Sequence, residues 1–403
     1  MSAALAYCDR RGRIYFDESV APLADGGIIR EPLANELMPA PPGTMPMLLP
    51  QRRPLTRSGT QIRRHALAAA LPAGYTRLLV PAYAAEPSAQ PLPLFGYTFT
   101  CAVGDLLHVA AMKTDEDEVW SPRRFANGEL ETLVEQCAAA DGENRVLRQL
   151  ARCALEYGCF TAQNVFLERG EAALPVSPRC NARCVGCISE LDADAGIPSP
   201  QERIAYEVSA QELARIALRH LECVPEGIVS FGQGCEGEPL LRSTTIARAI
   251  ERVRVQRSNG TINMNTNGSL PRALSRCIDA GLDAVRISLN SFRHSVYAAY
   301  YRPTGYGFDD VLESVRIAVQ RGLRVSLNLL THPGVTDDEE EVAAMQAFLR
   351  EVRVAMIQTR TLNIDPAWYF TAVGRPAQPL GMHAALDAIK ATGARIGNFA
   401  HTH

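Results

Sequence analysis

Three cysteines stand together in Pro178-Arg-Cys180-Asn-Ala-Arg-Cys184-Val-Gly-Cys187, spaced C-x3-C-x2-C. One short loop of this kind can set three thiolates on three irons of a cubane. The fourth iron then has no protein ligand and can bind a small molecule. Iron–sulfur cubanes are normally held by four thiolates, so three is an informative count. Arg179 and Arg183 would lower the thiol pKa values and offset the charge of a cluster. Gly186 permits the tight turn between the last two ligands. A zinc knuckle would use the same residues but needs a fourth Cys or His nearby. None occurs in the next thirty residues.

Further polar residues gather after later apolar runs. The first group is Phe231-Gly-Gln-Gly-Cys-Glu-Gly237-Glu238-Pro239-Leu240. An ammonium group needs a carboxylate and exposed carbonyls, and glycine lets the backbone approach. The plainer reading is a glycine-rich turn with Pro239 opening a helix. The second group is Asn265-Thr-Asn267-Gly268, which is also a common turn. The third is Ile287-Ser288-Leu-Asn290-Ser291, in which Ser288 and Asn290 alternate with apolar neighbours and share one side of a strand. Asn328, and Asn363 with Asp365, sit at or near the ends of the next two apolar runs. Cys235 could serve as a thiol hydrogen-atom donor or be an inert buried cysteine. His332 reads as a loop residue. Tyr300-Tyr301-Arg302-Pro303 could reach a barrel mouth or simply pack.

The cysteine loop resembles the signature of the radical S-adenosylmethionine (radical SAM) enzymes, C-x3-C-x2-C type. The resemblance covers about 172–370. It implies one [4Fe-4S] cluster on Cys180, Cys184 and Cys187, with the open iron chelated by the amino and carboxylate groups of S-adenosylmethionine. An electron from the cluster then yields a 5′-deoxyadenosyl radical that abstracts a hydrogen atom from a substrate. Gly237, Glu238 and Pro239 are similar to the family's Gly-Gly-Glu-Pro motif for the methionine amino group, with Glu236 where a second glycine would stand. Asn267 lies in a Thr-Asn-Gly found at the same strand end in many members. Ser288 and Asn290 resemble the pair used for the ribose and carboxylate, and Asn328 joins the candidate cofactor residues. Gly186 replaces an often aromatic residue, which weakens a contact to the adenine. The resemblance also implies a flavodoxin or ferredoxin as electron donor.

The elements that must position these residues read as strands over 173–176, 227–231, 261–265, 284–289, 324–330 and 354–362, with helices between them. Ser209 with Glu212 and Thr336 with Glu339 read as capping boxes. Pro271 opens a helix that Gly281 closes. Six strand–helix units imply a parallel sheet whose right-handed crossovers curl it into a partial (β/α)6 TIM-like barrel. The strand C-terminal ends carry the site in such barrels. Residues 1–165 read as a smaller N-terminal α+β domain, with strands over 76–80, 95–103 and 107–111 and a helix over 143–157. The segment 160–170 has no proline and one glycine, so it is no flexible tether. A radical needs shielding from water, so the N-terminal domain is expected to pack on the barrel mouth. Residues 371–403 read as one helix and a polar tail.

Composition excludes several classes. Of 403 residues, 47% are hydrophobic and 21% charged, and the net charge is −3. That is globular, with no basic excess for nucleic acid. No apolar run reaches a membrane span, and the start is unlike a signal peptide. The 11 cysteines are too sparse for a disulfide scaffold, so a cytosolic protein is expected. No cysteine follows Cys277, so a single cluster is expected. Two other readings use the same residues: an activase that installs a radical on a partner protein, and a non-catalytic iron–sulfur or zinc scaffold.

Overall fold

The computed structural model describes residues 3–57, 62, 64–115, 128–361 and 364–398. Its second half is a parallel sheet of seven strands in sequence order: Glu171–Ala173, Ile228–Phe231, Thr261–Thr266, Ala284–Leu289, Arg324–Thr331, Met356–Thr361 and Arg395–Gly397. Five of the six expected strands fall where expected, and the first lies earlier, at Glu171–Ala173 rather than 173–176. The seventh was missed: Arg395-Ile-Gly397 is short and has none of the apolar density that marks the others. It pairs parallel with the sixth strand, Met356 opposite Arg395. The sheet curls strongly. Glu171 on the first strand reaches Arg286 on the fourth in a two-pronged ion pair, with contacts of 2.7 and 3.0 Å. A flat sheet would hold strands three apart at roughly 14 Å. Among the described strands the first and seventh do not pair, so this is an α/β half-barrel, open on one side.

The helices follow from legible caps. The Ser209 hydroxyl accepts from Glu212 N at 3.2 Å while the Glu212 carboxylate accepts from Ser209 N at 2.9 Å, so Ala210–Cys223 starts in a full capping box. Pro271 opens Pro271–Asp279, and Gly281 follows it at φ 109°. The second expected box is corrected. Helix Glu339–Glu351 has Asp338 as its N-cap, and the Thr336 hydroxyl instead accepts from His332 N at 2.9 Å. Three acidic residues, Glu339, Glu340 and Glu341, still fill its first turn, where the helix dipole favours them.

The N-terminal region is more β-rich than its composition suggested. An eight-stranded antiparallel sheet includes Ala4–Cys8, Ile14–Asp17, His65–Ala70, Thr98–Val103 and Leu106–Lys113. The alanine-rich His65–Ala70 lacks β-branched residues yet is central and buried. Part of the proline-rich stretch pairs as strand Met45–Leu49. Three helices follow, Leu130–Ala140, Arg145–Leu155 and Phe160–Phe166.

This sheet packs on the ends of the fifth and sixth barrel strands. Arg77 is fully buried and donates to Thr331 O at 3.3 Å and Tyr97 O at 3.1 Å. Gly27 and Gly334 touch backbone to backbone: a Cβ on Gly334 would lie 2.6 Å from the Gly27 Cα. Asp365, near the end of the sixth strand, is an anchor between the N-terminal region and the barrel. Its carboxylate pairs with Arg52 at 2.9 Å and accepts from the Tyr83 hydroxyl at 3.0 Å, Leu92 N at 3.1 Å and Ala367 N at 3.0 Å. Asn363 lies outside the described residues. Removing one member of a buried ion pair strands the other charge, at about 3–5 kcal/mol. Asp365→Ala is therefore expected to lower the unfolding free energy by about that amount. It should also speed proteolysis between the sheet and the barrel; urea denaturation and limited proteolysis check both.

Candidate active site

The cysteine loop leaves the first barrel strand and is pinned on two sides. Arg183 N donates to Tyr301 O and Val185 N to Tyr300 O, both at 3.0 Å, which fastens it to helix His294–Tyr301. Gly237 N donates to Ser177 O at 2.7 Å and Glu238 N to Arg179 O at 2.8 Å, which fastens it to the turn after the second strand. A Cβ on Gly237 would lie 2.0 Å from Arg179 O, so only glycine lets the turn and loop meet. Gly232 is as constrained, with φ +77° and a would-be Cβ 1.7 Å from Asn265 O.

Cys180, Cys184 and Cys187 remain partly accessible at this junction. Burial, then the Glu238 carboxylate, pushes the Cys180 thiol up to about 11. Burial and the neighbouring Cys187 and Cys180 push Cys184 well up. Arg179 and Arg183 are exposed, and the guanidinium that reaches the thiols is Arg203, whose Nη2 lies 3.7 Å from Cys187 Sγ. Among the described residues no His/Cys/Asp/Glu group is arranged to hold a metal ion. A cubane makes no such demand, because its thiolates bind separate irons. A side chain at Gly186 would meet the Tyr300 hydroxyl at 3.0 Å and Ile364 at 3.6 Å, so the aromatic replaced there has a neighbour from another helix.

Two carboxylates back the site, and the chain itself uses both. Glu238 accepts from the Thr266 hydroxyl, Asn267 N at 2.8 Å and Leu240 N at 2.9 Å. It therefore locks the end of the third strand to the turn. Asn267 is committed too, donating to Asn181 Oδ1 at 2.9 Å in the cysteine loop. Pro239 opens the short helical turn Pro239–Arg242. Glu236 accepts from Val176 N, Ser177 N, Gly232 N and Gln233 N at 2.6–3.0 Å. Burial pushes each carboxyl up to about 7 against these donors.

Above this base the inward strand faces are polar. Along the strands the alternate residues Asn265, Ser288, Asn328, Leu330 and Arg360 keep accessible surface, while Thr266, Leu289, Leu327, Leu329 and Thr359 are buried. Ser288, Asn328 and Gln358 lie side by side in register across three strands. Asn328 Oδ1 and Gln358 Nε2 are buried without a hydrogen-bond partner. The Glu171–Arg286 pair forms the floor: burial pushes the Glu171 carboxyl up, but Arg286 brings it below its ordinary value. Asn290 is fully buried, donates to the Tyr369 hydroxyl at 3.1 Å and leaves its own Oδ1 unpartnered. Orphaned buried polar atoms are costly unless a ligand meets them, so these residues fit a polar cofactor.

Some residues here were missed or misplaced. Glu236 read only as a departure from a glycine motif. Gln358 and Arg360 alternate with Thr359 on a strand, the same signal that singled out Ser288 and Asn290. His332 lies in the loop after the fifth strand, as expected, but it is fully buried against Tyr369 and Phe370, with Nδ1 2.7 Å from Pro333 O and Nε2 unpartnered. Cys235 is buried beside Cys153, away from accessible space.

A half-barrel with a three-cysteine loop at its strand ends and a polar interior defines a class of iron–sulfur proteins. Residues 174–345 match the family model of the Radical SAM superfamily, whose enzymes use a [4Fe-4S] cluster and S-adenosylmethionine. GTP 3′,8-cyclase of Staphylococcus carnosus (strain TM300) is 26% identical over 213 residues, 52% of this chain and 59% of that protein. Probable GTP 3′,8-cyclase of Methanocella arvoryzae is 30% identical over 205 residues, 49% of this chain and 59% of that protein. FeMo cofactor biosynthesis protein NifB of Klebsiella pneumoniae is 27% identical over 179 residues, 41% of this chain and 37% of that protein. The chain thus spans less than two thirds of each of these relatives.

Glu236→Ala would strand four buried N–H groups, at about 1–3 kcal/mol each. The expected result is a loss of at least about 3 kcal/mol and a cluster that falls off faster. Denaturation, together with iron release to a chelator, reads both.

Proposed function

We propose that the chain is a radical SAM enzyme in which Cys180, Cys184 and Cys187 hold one [4Fe-4S] cluster over the barrel interior. The carrying observation is the junction of a three-thiol loop with a polar inward strand face whose buried amide atoms lack partners. When bound, the cluster supplies the electron that cleaves S-adenosylmethionine to the 5′-deoxyadenosyl radical that takes a hydrogen atom from substrate. Ser288 and Asn328 line the space for the cofactor, and Asn290 and Gln358 offer it an unused acceptor and donor. Gly237, Glu238, Pro239 and Asn267 act beneath them by fixing the turn against the cysteine loop. Arg203 places a positive charge beside the cluster thiolates. Exposed backbone carbonyls of the glycine-rich turn, rather than the committed Glu238 carboxylate, are left for the methionine ammonium.

Radical SAM enzymes need a reductant; a flavodoxin or ferredoxin is the proposed donor. Among the described residues no helix is long and apolar enough to cross a membrane. The proposed compartment is the cytosol, whose thiol buffers keep cysteines reduced. The N-terminal sheet over the fifth and sixth strand ends favours an enclosed substrate over an activase partner. We assign that sheet, residues 1–165 with its helices, the role of shaping the substrate side.

Anaerobic reconstitution is expected to load about four irons per chain, as a cubane requires. With dithionite and S-adenosylmethionine it should release 5′-deoxyadenosine. Cys184→Ala should abolish both, while Cys153→Ala should leave both. A full cluster on the Cys184 variant would overturn the assignment.

A further inference from the structure

Charge in the upper barrel is unbalanced. Glu171 is fully engaged by Arg286 through both carboxylate oxygens. Arg360, one strand pair further round, has no such partner. Its one side-chain hydrogen bond goes from Nη2 to the amide oxygen of Gln358, at 2.8 Å. Among the described residues no carboxylate lies within ion-pair distance of it. Glu171 and Asp115 act on it only from further away. Asp115 already accepts from Asn398 N at 2.7 Å and from the Thr114 hydroxyl at 2.9 Å. The amide nitrogen of Gln358 points its own hydrogens at nothing. A half-buried guanidinium with no counter-charge in contact, beside a fully buried amide donor without a partner, is a costly arrangement for a chain to keep. Burial, and Arg286 nearby, push the Arg360 pKa down to about 10, so it still carries its charge at neutral pH. Yet part of its surface is accessible, and it shares the inward strand face with Ser288 and Asn328. The space it meets is the interior of the barrel.

We propose that Arg360 and Gln358 form an anion-binding position inside the barrel that takes a carboxylate or phosphate group. The guanidinium fork and the Gln358 N–H give the parallel donors that such a planar or tetrahedral anion accepts. The position rests on the reading of the barrel as the reaction chamber. Two ligands could bring the anion: the carboxylate of S-adenosylmethionine, or an acidic group on the substrate.

The test uses the reconstituted full chain, wild type and Arg360→Gln, with Gln358→Leu as the second variant. Without added oxyanion, Arg360→Gln is expected to melt at the same temperature as wild type or higher, because an unpaired buried charge has been removed. A merely structural arginine would give a lower melting temperature. Inorganic phosphate, at matched ionic strength against chloride, should raise the melting temperature of wild type and not of either variant. Calorimetry with S-adenosylmethionine and its decarboxylated analogue separates the sources. A loss of about tenfold or more in affinity for the first alone assigns the position to the cofactor carboxylate. Unchanged affinity for both, with loss of the phosphate effect, assigns it to the substrate. Equal phosphate stabilisation of wild type and both variants, with unchanged cofactor affinity, overturns the proposal. Iron content and 5′-deoxyadenosine release are read separately. Failure of the radical SAM reading would appear there and leave the phosphate result standing.

Discussion

One buried carboxylate decides whether the site exists. Glu236 gathers four backbone N–H groups, two from the exit of the first strand and two from the exit of the second. Parallel strands diverge once their ladder ends, and nothing in the sheet holds their exits together. Glu236 replaces the missing ladder with charge-assisted hydrogen bonds, which are stronger than neutral ones. With the exits fixed, Gly237 can lie against Arg179, and the cysteine loop has a floor. Glu238 repeats the device one strand further on, tying the turn to Thr266 and Asn267. The site is thus carried by carboxylates spent on backbone amides, with the cysteines resting on that frame.

Much of this was legible in the sequence, and the rest was not for definite reasons. Six parallel strands showed as apolar runs, because strands covered on both faces need continuous Val, Ile and Leu. The cysteine loop and the phase of Ser288 showed because spacing and alternation are local properties. The partner of Asp365 was not legible, because a carboxylate at a strand end looks the same whether it faces a ligand or an arginine more than three hundred residues away. Arg52 closes that pair from a separate two-stranded ribbon, Arg52–Pro54 with Tyr83–Ala85, and no local pattern couples the two. The seventh strand escaped because three residues are too few to show a period. The N-terminal sheet escaped in part because alanine and proline say little about pairing. Glu236 looked like a defect in a motif, and only contacts across two strand ends reveal its work.

The two halves of the chain are held by unlike means. Within the barrel, neighbours in sequence are neighbours in space. Between the halves the apolar core is continuous, and buried polar anchors add to it: Arg52 with Asp365, Arg77 on Thr331, and Asn398 on Asp115 and Thr114. Glycines fill the gaps where backbones touch. Such anchors specify one docking geometry, since a misplaced sheet would leave several charges buried and unpaired.

The order of these anchors along the chain has a consequence for assembly. Every barrel residue that receives the N-terminal sheet in those contacts lies after position 330. The sheet leaves the ribosome first, but its seat leaves last. At about 5–20 residues per second, the stretch from Cys187 to Asp365 takes on the order of 10–35 s to make. Throughout that interval the cysteine loop has been made, while the barrel residues that seat Arg52 and Arg77 have not.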